Sequence, residues 1–160
     1  MRQIARTKLN VNEAVKVMLY TSEKGVYVFG YNTLIDSFSN WDNLFTNLKD
    51  ALDYCEEEFR IMSTDWIPIS DEEFNCQQDW IQSVESKDNS ESRKFYNRNL
   101  KEYVDLNYLH ENINGMTGNE RLFASGLMSE FDKSKRKNKE KTRKILQFLN
   151  FDENSINKII

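Results

Sequence analysis

Two alternating apolar segments around a short loop place the strongest constraint on the fold of this chain. Val15, Val17 and Leu19 recur at every second position, and residues 26–31 repeat this spacing after a polar loop that ends at Gly25. Alternation with period two is the pattern of a β-strand, and Gly25 can adopt the positive φ that a short hairpin loop requires. The segments therefore predict a β-hairpin. Both alternating sets are apolar or aromatic, so we expect another element to cover one face of the hairpin.

An amphipathic helix follows at residues 48–59. Asn47 can cap its first turn, and Asp50 falls three residues later as a weaker form of the capping box. Apolar residues recur at spacings of four, three and four, which is the pattern of one buried helix face. These apolar residues are Leu48, Leu52, Cys55 and Phe59.

Two short segments predict further strands. Residues 65–69 form one, and Pro68 places it at a sheet edge or a strand end because proline lacks an N–H group. Residues 79–84 predict another. No strand is predicted in the polar stretch 36–43.

The charge changes sign along the chain. Residues 1–90 contain 16 Asp/Glu against 8 Lys/Arg, whereas residues 91–160 contain 10 against 14. The change coincides with residues 85–92, where no apolar side chain occurs, so this segment is the best candidate for a linker. We expect an α+β unit at 1–88 and a helical unit at 89–160, which can pack together as a single body.

The second half is expected to be entirely helical. Tyr96, Leu100 and Tyr103 are spaced for one side of a helix over residues 95–109. Thr117, with Glu120 three residues later, predicts a capping box that opens a helix reaching residue 131.

The last residues predict two more helices after a polar junction at 134–138. Residues 142–149 form the first, with Asn150 as its C-cap, and Asp152 can cap a final short helix. The predicted fold class is therefore α+β: a small, mostly antiparallel sheet with one packed helix, followed by an all-α C-terminal helical unit.

No motif in the sequence indicates catalysis, a metal or a cofactor. His110 is the only histidine, Cys55 lies on the apolar helix stripe, and Cys76 lies in a polar segment. Two cysteines do not make a disulfide scaffold. No run of 18 apolar residues predicts a transmembrane helix, and the N-terminus lacks the apolar stretch of a secretory signal. We therefore expect a non-enzymatic cytoplasmic protein without a cofactor.

Acidic and aromatic residues of the first half are the candidates for partner binding. Asp53, Glu56 and Glu57 lie at positions i, i+3 and i+4, so their carboxylates share one solvent-facing surface. That surface could bind a basic partner, or it could serve only to keep the helix solvated. Trp41, like Trp66 and Trp80, has an adjacent Asp and is of the residue type enriched at binding hot spots. The alternative is that all three tryptophans close the core.

A basic run at 133–144 is a second candidate surface, with eight Lys/Arg in twelve residues. It could contact phosphates, which would make the chain a nucleic-acid-associated regulatory or interaction protein. Asp132 and Glu140 reduce the positive charge of the run, and it contains no aromatic residue on which a base could stack. The pI of the whole chain is near 5.2. These features argue against a dedicated nucleic-acid binder and favour a solvated helix junction.

Two blocks of sequence resemble a known class of protein. The first is Trp41-Asp42-Asn43, the helix 48–59 and Asp65-Trp66-Ile67-Pro68-Ile69, and the second is the segment 121–133 with the helix that ends near Leu149. They are similar to small bacterial immunity proteins of contact-dependent inhibition and other polymorphic toxin systems. The resemblance implies a cytoplasmic protein that binds the C-terminal domain of one cognate toxin and blocks it. Many such toxins are basic nucleases, which an acidic N-terminal half would complement.

Overall fold

A computed structural model describes residues 1–9, 11–85, 94–98, 101–105 and 115–160 of the chain. As predicted, these residues form an α+β fold, with a five-stranded antiparallel sheet, a three-stranded antiparallel sheet and five helices. The strands of the larger sheet are β1 (Arg2–Arg6), β2 (Lys16–Ser22), β3 (Gly25–Tyr31), β4 (Trp41–Phe45) and β5 (Ile67–Ile69). The smaller sheet contains β6 (Val84–Glu85), β7 (Lys94–Asn97) and β8 (Glu102–Asp105). The helices are α1 (Leu48–Phe59), α2 (Gly118–Ala124), α3 (Met128–Lys137), α4 (Lys139–Phe148) and α5 (Glu153–Ile159).

The predicted hairpin is confirmed as β2 and β3, with Ser22 opposite Gly25 across a two-residue loop. Gly25 has φ +136°, and a Cβ there would lie 2.4 Å from the backbone oxygen of Phe45. Both the backbone angle and the available space therefore require glycine. The strand order β4-β3-β2-β1-β5 leaves β5 at the edge of the sheet, which confirms the placement of Pro68.

Both faces of the larger sheet are covered, because its strands alternate two sets of apolar side chains. One set packs against α1, and the other packs against the C-terminal helices. The core on the α1 face includes Ala5, Val17, Leu19, Val26 and Val28 with Ala51, Cys55 and Phe59. The core on the opposite face includes Ile4, Met18, Phe29 and Ile67 with Leu127, Phe131, Ile145, Leu146 and Ile156. The result is three layers, with the sheet in the middle.

Two strands of this sheet were not predicted. β1 is an interior strand, between β2 and β5, although its first side chain, Arg2, is a cation that is only 2% exposed. The guanidinium donates hydrogen bonds to the backbone oxygens of Ser70 (2.8 Å), Trp80 and Ile81 (3.2 Å), which replace its water shell. β4 overlaps the polar stretch 36–43, because an edge strand with an exposed side needs no continuous apolar pattern.

Two predicted elements are wrong. Of residues 79–84, only Val84 belongs to a strand, and the residues before it supply backbone oxygens to Arg2 instead. Within the helix predicted over 95–109, the described residues form β7 and β8 instead, and residues 99, 100 and 106–109 lie outside the described part of the chain. Tyr96 pairs with Tyr103 across these strands, so a spacing that suits a helix also suits a short hairpin.

The helical unit begins at α2 and is broken at two points. The predicted capping box is confirmed, with Thr117 and Glu120 bonded in both directions. The helix expected to reach residue 131 ends instead before Gly126, which has φ +74° and allows the carboxylate of Asp36 to approach. The polar junction predicted at 134–138 is shorter than expected. α3 continues to Lys137, and only Asn138 separates it from α4.

The cap predicted at Asp152 is confirmed, whereas the one predicted at Asn150 lies one residue beyond the C-cap, Leu149. Asn150 has φ +58° just after α4, and its N–H and that of Phe151 each donate to carbonyls of the last turn at 3.0 Å. Asp152 accepts the backbone N–H of Ser155 at 2.9 Å and caps α5.

The C-terminal helices pack on the same sheet as the N-terminal strands, and hydrogen bonds join the two regions. The backbone N–H of Asp36 donates to Ala124 at 2.9 Å, and the N–H of Ser70 donates to the carboxylate of Glu130 at 3.0 Å. The boundary predicted between residues 88 and 89 lies outside the described residues, as does most of the segment 85–92.

Candidate partner-binding surface

The acidic face of α1 is exposed and lies opposite the buried face of the helix. Asn47 accepts the N–H of Asp50 at 3.0 Å and starts the helix where the sequence predicts. Ala51, Cys55 and Phe59 are buried against the sheet, whereas Asp53, Glu56 and Glu57 are exposed. The predicted carboxylates therefore share one surface that points away from the sheet.

This face keeps most of its negative charge. α1 contains five carboxylates and a single cation, Lys49. Lys49 forms an ion pair with Asp53, and the hydrogen bond in this pair raises the pKa of the ammonium. Both side chains are largely exposed, so solvent screens the pair. Among the described residues, Glu56 and Glu57 form no ion pair, and their charge is available to a partner.

Trp41 lies beneath α1 rather than on its acidic face. Its ring covers Gly30, where a Cβ would lie 2.0 Å from the indole, and it stacks on Phe59 with the ring centroids 5.9 Å apart. The side chain is half-buried, so one edge remains accessible. Trp66 and Trp80 are 5% and 1% exposed, and the core interpretation is confirmed for these two residues.

Half-buried aromatic rings line the junction of β4 and α1, and this feature was missed in the sequence. Tyr54 packs on Phe45 with the centroids 5.1 Å apart, and its hydroxyl accepts a hydrogen bond from the amide of Asn43 at 3.1 Å. Burial raises the pKa of Tyr54, which stays protonated and keeps its hydrogen-bonding hydroxyl. We call Trp41, Phe45 and Tyr54 the aromatic seam. The sequence contained one indication of the seam. Tyr54 is an aromatic residue that follows Asp53 and lies outside the buried apolar stripe of the helix.

The aromatic seam joins the acidic face to an open sheet edge. β4 pairs with β3 on one side only, and no described strand pairs with its other side. Asp42 and Leu44 on this edge are exposed, Leu44 by 54%. The structure thus brings Asp53, Glu56 and Glu57 together, and it places Trp41 on an adjoining surface.

The basic run at 133–144 is partly neutralised within the protein. Lys141 contacts the buried carboxylate of Glu130 at 2.6 Å, and Arg143 contacts Glu153 at 2.7 Å. Lys133 and Lys144 also approach carboxylates, at 3.7 and 3.9 Å. Half of the eight cations therefore have an acidic partner, which weakens the run as a surface for phosphates.

The two cysteines lie in different surroundings. Cys55 is fully buried, as predicted, and burial raises the pKa of its thiol to about 12, so no thiolate forms near neutral pH. Cys76 is half-buried, and His110 lies outside the described residues. Within the part of the chain that the structure describes, no cluster of His, Cys, Asp or Glu is arranged to hold a metal ion.

No family model, curated protein or solved structure matches the chain. The resemblance to immunity proteins therefore stays a prediction. None of the helices in the described ranges combines the length and the apolar character needed to cross a bilayer.

Proposed function

We propose that this protein is a non-enzymatic immunity protein that binds and neutralises a cognate toxin domain in the cytoplasm. The observation that carries the proposal is the exposed acidic face of α1 beside the aromatic seam. Carboxylates that lack internal partners retain their attraction for a basic surface, such as the active-site cleft of a nuclease. Covering that cleft would block the toxin without any chemical step.

The two parts of the surface have different effects on binding. The charge of Asp53, Glu56 and Glu57 acts at a distance, so it accelerates association and loses strength as salt is added. The aromatic seam acts only on contact, where half-buried rings offer large apolar area at a small entropic cost. It therefore slows dissociation, which is the step that mainly sets affinity in related complexes.

The test requires a candidate toxin, which we expect to be encoded immediately upstream of this gene, and it uses the C-terminal domain of that toxin. We expect Asp53→Lys/Glu56→Lys/Glu57→Lys to weaken its binding at least about tenfold, mainly through a slower association rate. Surface plasmon resonance at two salt concentrations separates the two rate constants. Trp41→Phe keeps an aromatic ring at this position but reduces its area, and it is expected to raise the dissociation rate.

A matched variant controls for the change in net charge. Glu73→Lys/Asp132→Lys/Glu140→Lys reverses three exposed carboxylates that lie outside α1 and β4. It should leave the dissociation constant within about twofold of wild type, since distant surface charges are largely screened. An unchanged constant for the α1 variant, or equal losses for both variants, would remove α1 from the interface. Failure of the wild-type protein to bind or inhibit the upstream domain would contradict the immunity function itself.

A further inference from the structure

A basic cleft lies on the side of the sheet that α1 does not cover. It has a volume of about 270 Å³ and lies between the end of β1, the turn before β5 and the last turns of α4. Its lining contains three cationic side chains, Arg6, Lys8 and Lys144, and one carboxylate, Asp65. The cleft is therefore positively charged in a protein whose formal net charge is −4.

Arg6 is the central group of this cleft, and its hydrogen bonding is incomplete. The side chain is half-buried, and its Nη1 donates to the backbone oxygen of Phe148 at 3.2 Å and to the side-chain oxygen of Asn150. Its Nε and Nη2 have no acceptor among the described residues, and no described carboxylate pairs with it. Burial alone lowers the pKa of Arg6, in keeping with the lack of a nearby anion. The bonds to α4 also fix the guanidinium in place.

A half-buried cation without a counter-ion is unfavourable, and an oxyanion would correct this. Guanidinium groups present parallel N–H donors that match the oxygens of a phosphate or carboxylate. Lys8 already contacts Asp65, and Lys144 lies 3.9 Å from Glu140, so both amines flank the site with partly balanced charge. The hydroxyl of Thr64 adds an exposed donor at the rim.

We infer that this cleft binds the phosphate group of a small phosphorylated molecule, with Arg6 as its main contact. The lining contains three cations and one carboxylate, and Glu140 lies 3.9 Å from Lys144, so the cleft keeps an excess of one to two positive charges. This excess favours a phosphate monoester, which carries a charge of roughly −1.5 to −2 at neutral pH. The volume lies just below the lower end of the usual range for ligand pockets, about 300 Å³, so the site suits a phosphate with a short body. The small exposed parts of Ile67 and Phe148 supply an apolar wall for that body.

The site can be tested by titrating ¹⁵N-labelled protein with phenyl phosphate and, separately, with inorganic phosphate at constant ionic strength. We expect saturable amide shifts at Thr7, Lys8 and Thr64. Arg6→Gln should weaken binding at least about tenfold, because it removes charge-assisted hydrogen bonds. Lys24→Gln makes the same charge change in the hairpin loop at the other end of the sheet, and it should alter affinity by less than about twofold. Tighter binding of phenyl phosphate would identify an ester as the ligand, and equal binding would identify free phosphate.

Arg6→Gln also removes the two bonds to the end of α4, so its melting temperature is measured in parallel. Lys144→Gln keeps those bonds and changes only a flanking charge; we expect a loss of about threefold in affinity with the fold intact. The proposal is overturned if neither phosphate compound gives saturable shifts at the cleft. It is equally overturned if Lys24→Gln weakens binding as much as Arg6→Gln, or if a folded Arg6→Gln protein binds like wild type.

Discussion

Replacing Gly30 by alanine tests the packing that supports the aromatic seam. A Cβ at this position would lie 2.0 Å from Cε2 and 2.1 Å from Cζ2 of Trp41, whereas ordinary contacts begin near 3.4 Å. The indole would therefore have to retreat by more than 1 Å, and it would lose its stacking on Phe59. Gly30 does not have a positive φ, so its backbone conformation is compatible with alanine.

The expected cost follows from three contributions. Overpacking of this kind costs about 1–3 kcal/mol, and the lost aromatic pair costs about 1 kcal/mol more. Alanine in a strand regains about 0.5–1 kcal/mol relative to glycine. Gly30→Ala should therefore lower the free energy of unfolding by about 1–3 kcal/mol. In a Trp41→Ala background the clash is absent, and the same substitution should be neutral or stabilising by up to about 1 kcal/mol.

Urea unfolding of the four proteins in this double-mutant cycle, followed by far-UV circular dichroism, gives the coupling energy. We expect a coupling energy of about 1–4 kcal/mol, the difference between the costs of Gly30→Ala in the two backgrounds. Equal costs of Gly30→Ala in the two backgrounds would show that the indole does not lie over Gly30, and the described origin of the seam would then be wrong.

Two further predictions concern buried carboxylates. Burial raises the pKa of Asp36 from 3.8 to about 6, so the native state binds this proton more tightly than the unfolded chain does. The stability that this shift contributes is fully present below about pH 4 and is lost as the pH rises through 6, a change of about 3 kcal/mol. Urea titrations of the wild type and Asp36→Asn across this pH range measure the change. A difference between the two proteins that does not vary with pH would contradict the prediction. Glu130→Ala should cost about 2–4 kcal/mol in the same assay, because it leaves Lys141 without its partner, whereas exposed Glu140→Ala should cost less than about 0.5 kcal/mol.

Elements stabilised by local interactions were predicted well. The hairpin follows from alternation and one glycine, and α1 follows from its stripe and the Asn47 cap. The prediction failed where distant residues decide the structure. β1 can be an interior strand because Arg2 donates to carbonyl groups about 70–80 residues away along the chain. No pattern within the five residues of β1 indicates these distant partners. Aromatic residues at 96 and 103 suited a helix, but they occupy paired positions in the backbone register of β7 and β8.

The candidate site shows the same division. The acidic face depends only on helical spacing, so Asp53, Glu56 and Glu57 were placed on one surface from the sequence. The aromatic seam depends on the packing of β4 against α1. β4 could not be predicted, because it overlaps a polar stretch without an alternating apolar pattern. Trp41 was selected by residue type, and its position under the helix could not be known without that strand.

The three-layer order gives the molecule an electric polarity. The five carboxylates of α1 lie on one side of the sheet, and the cations of α3 and α4 lie on the other. Such a separation forms a dipole directed across the sheet, although the net charge of the whole chain is modest. A charged body that approaches away from the axis of this dipole exerts a torque on it. The protein would therefore be rotated before first contact, with its acidic side toward a basic partner.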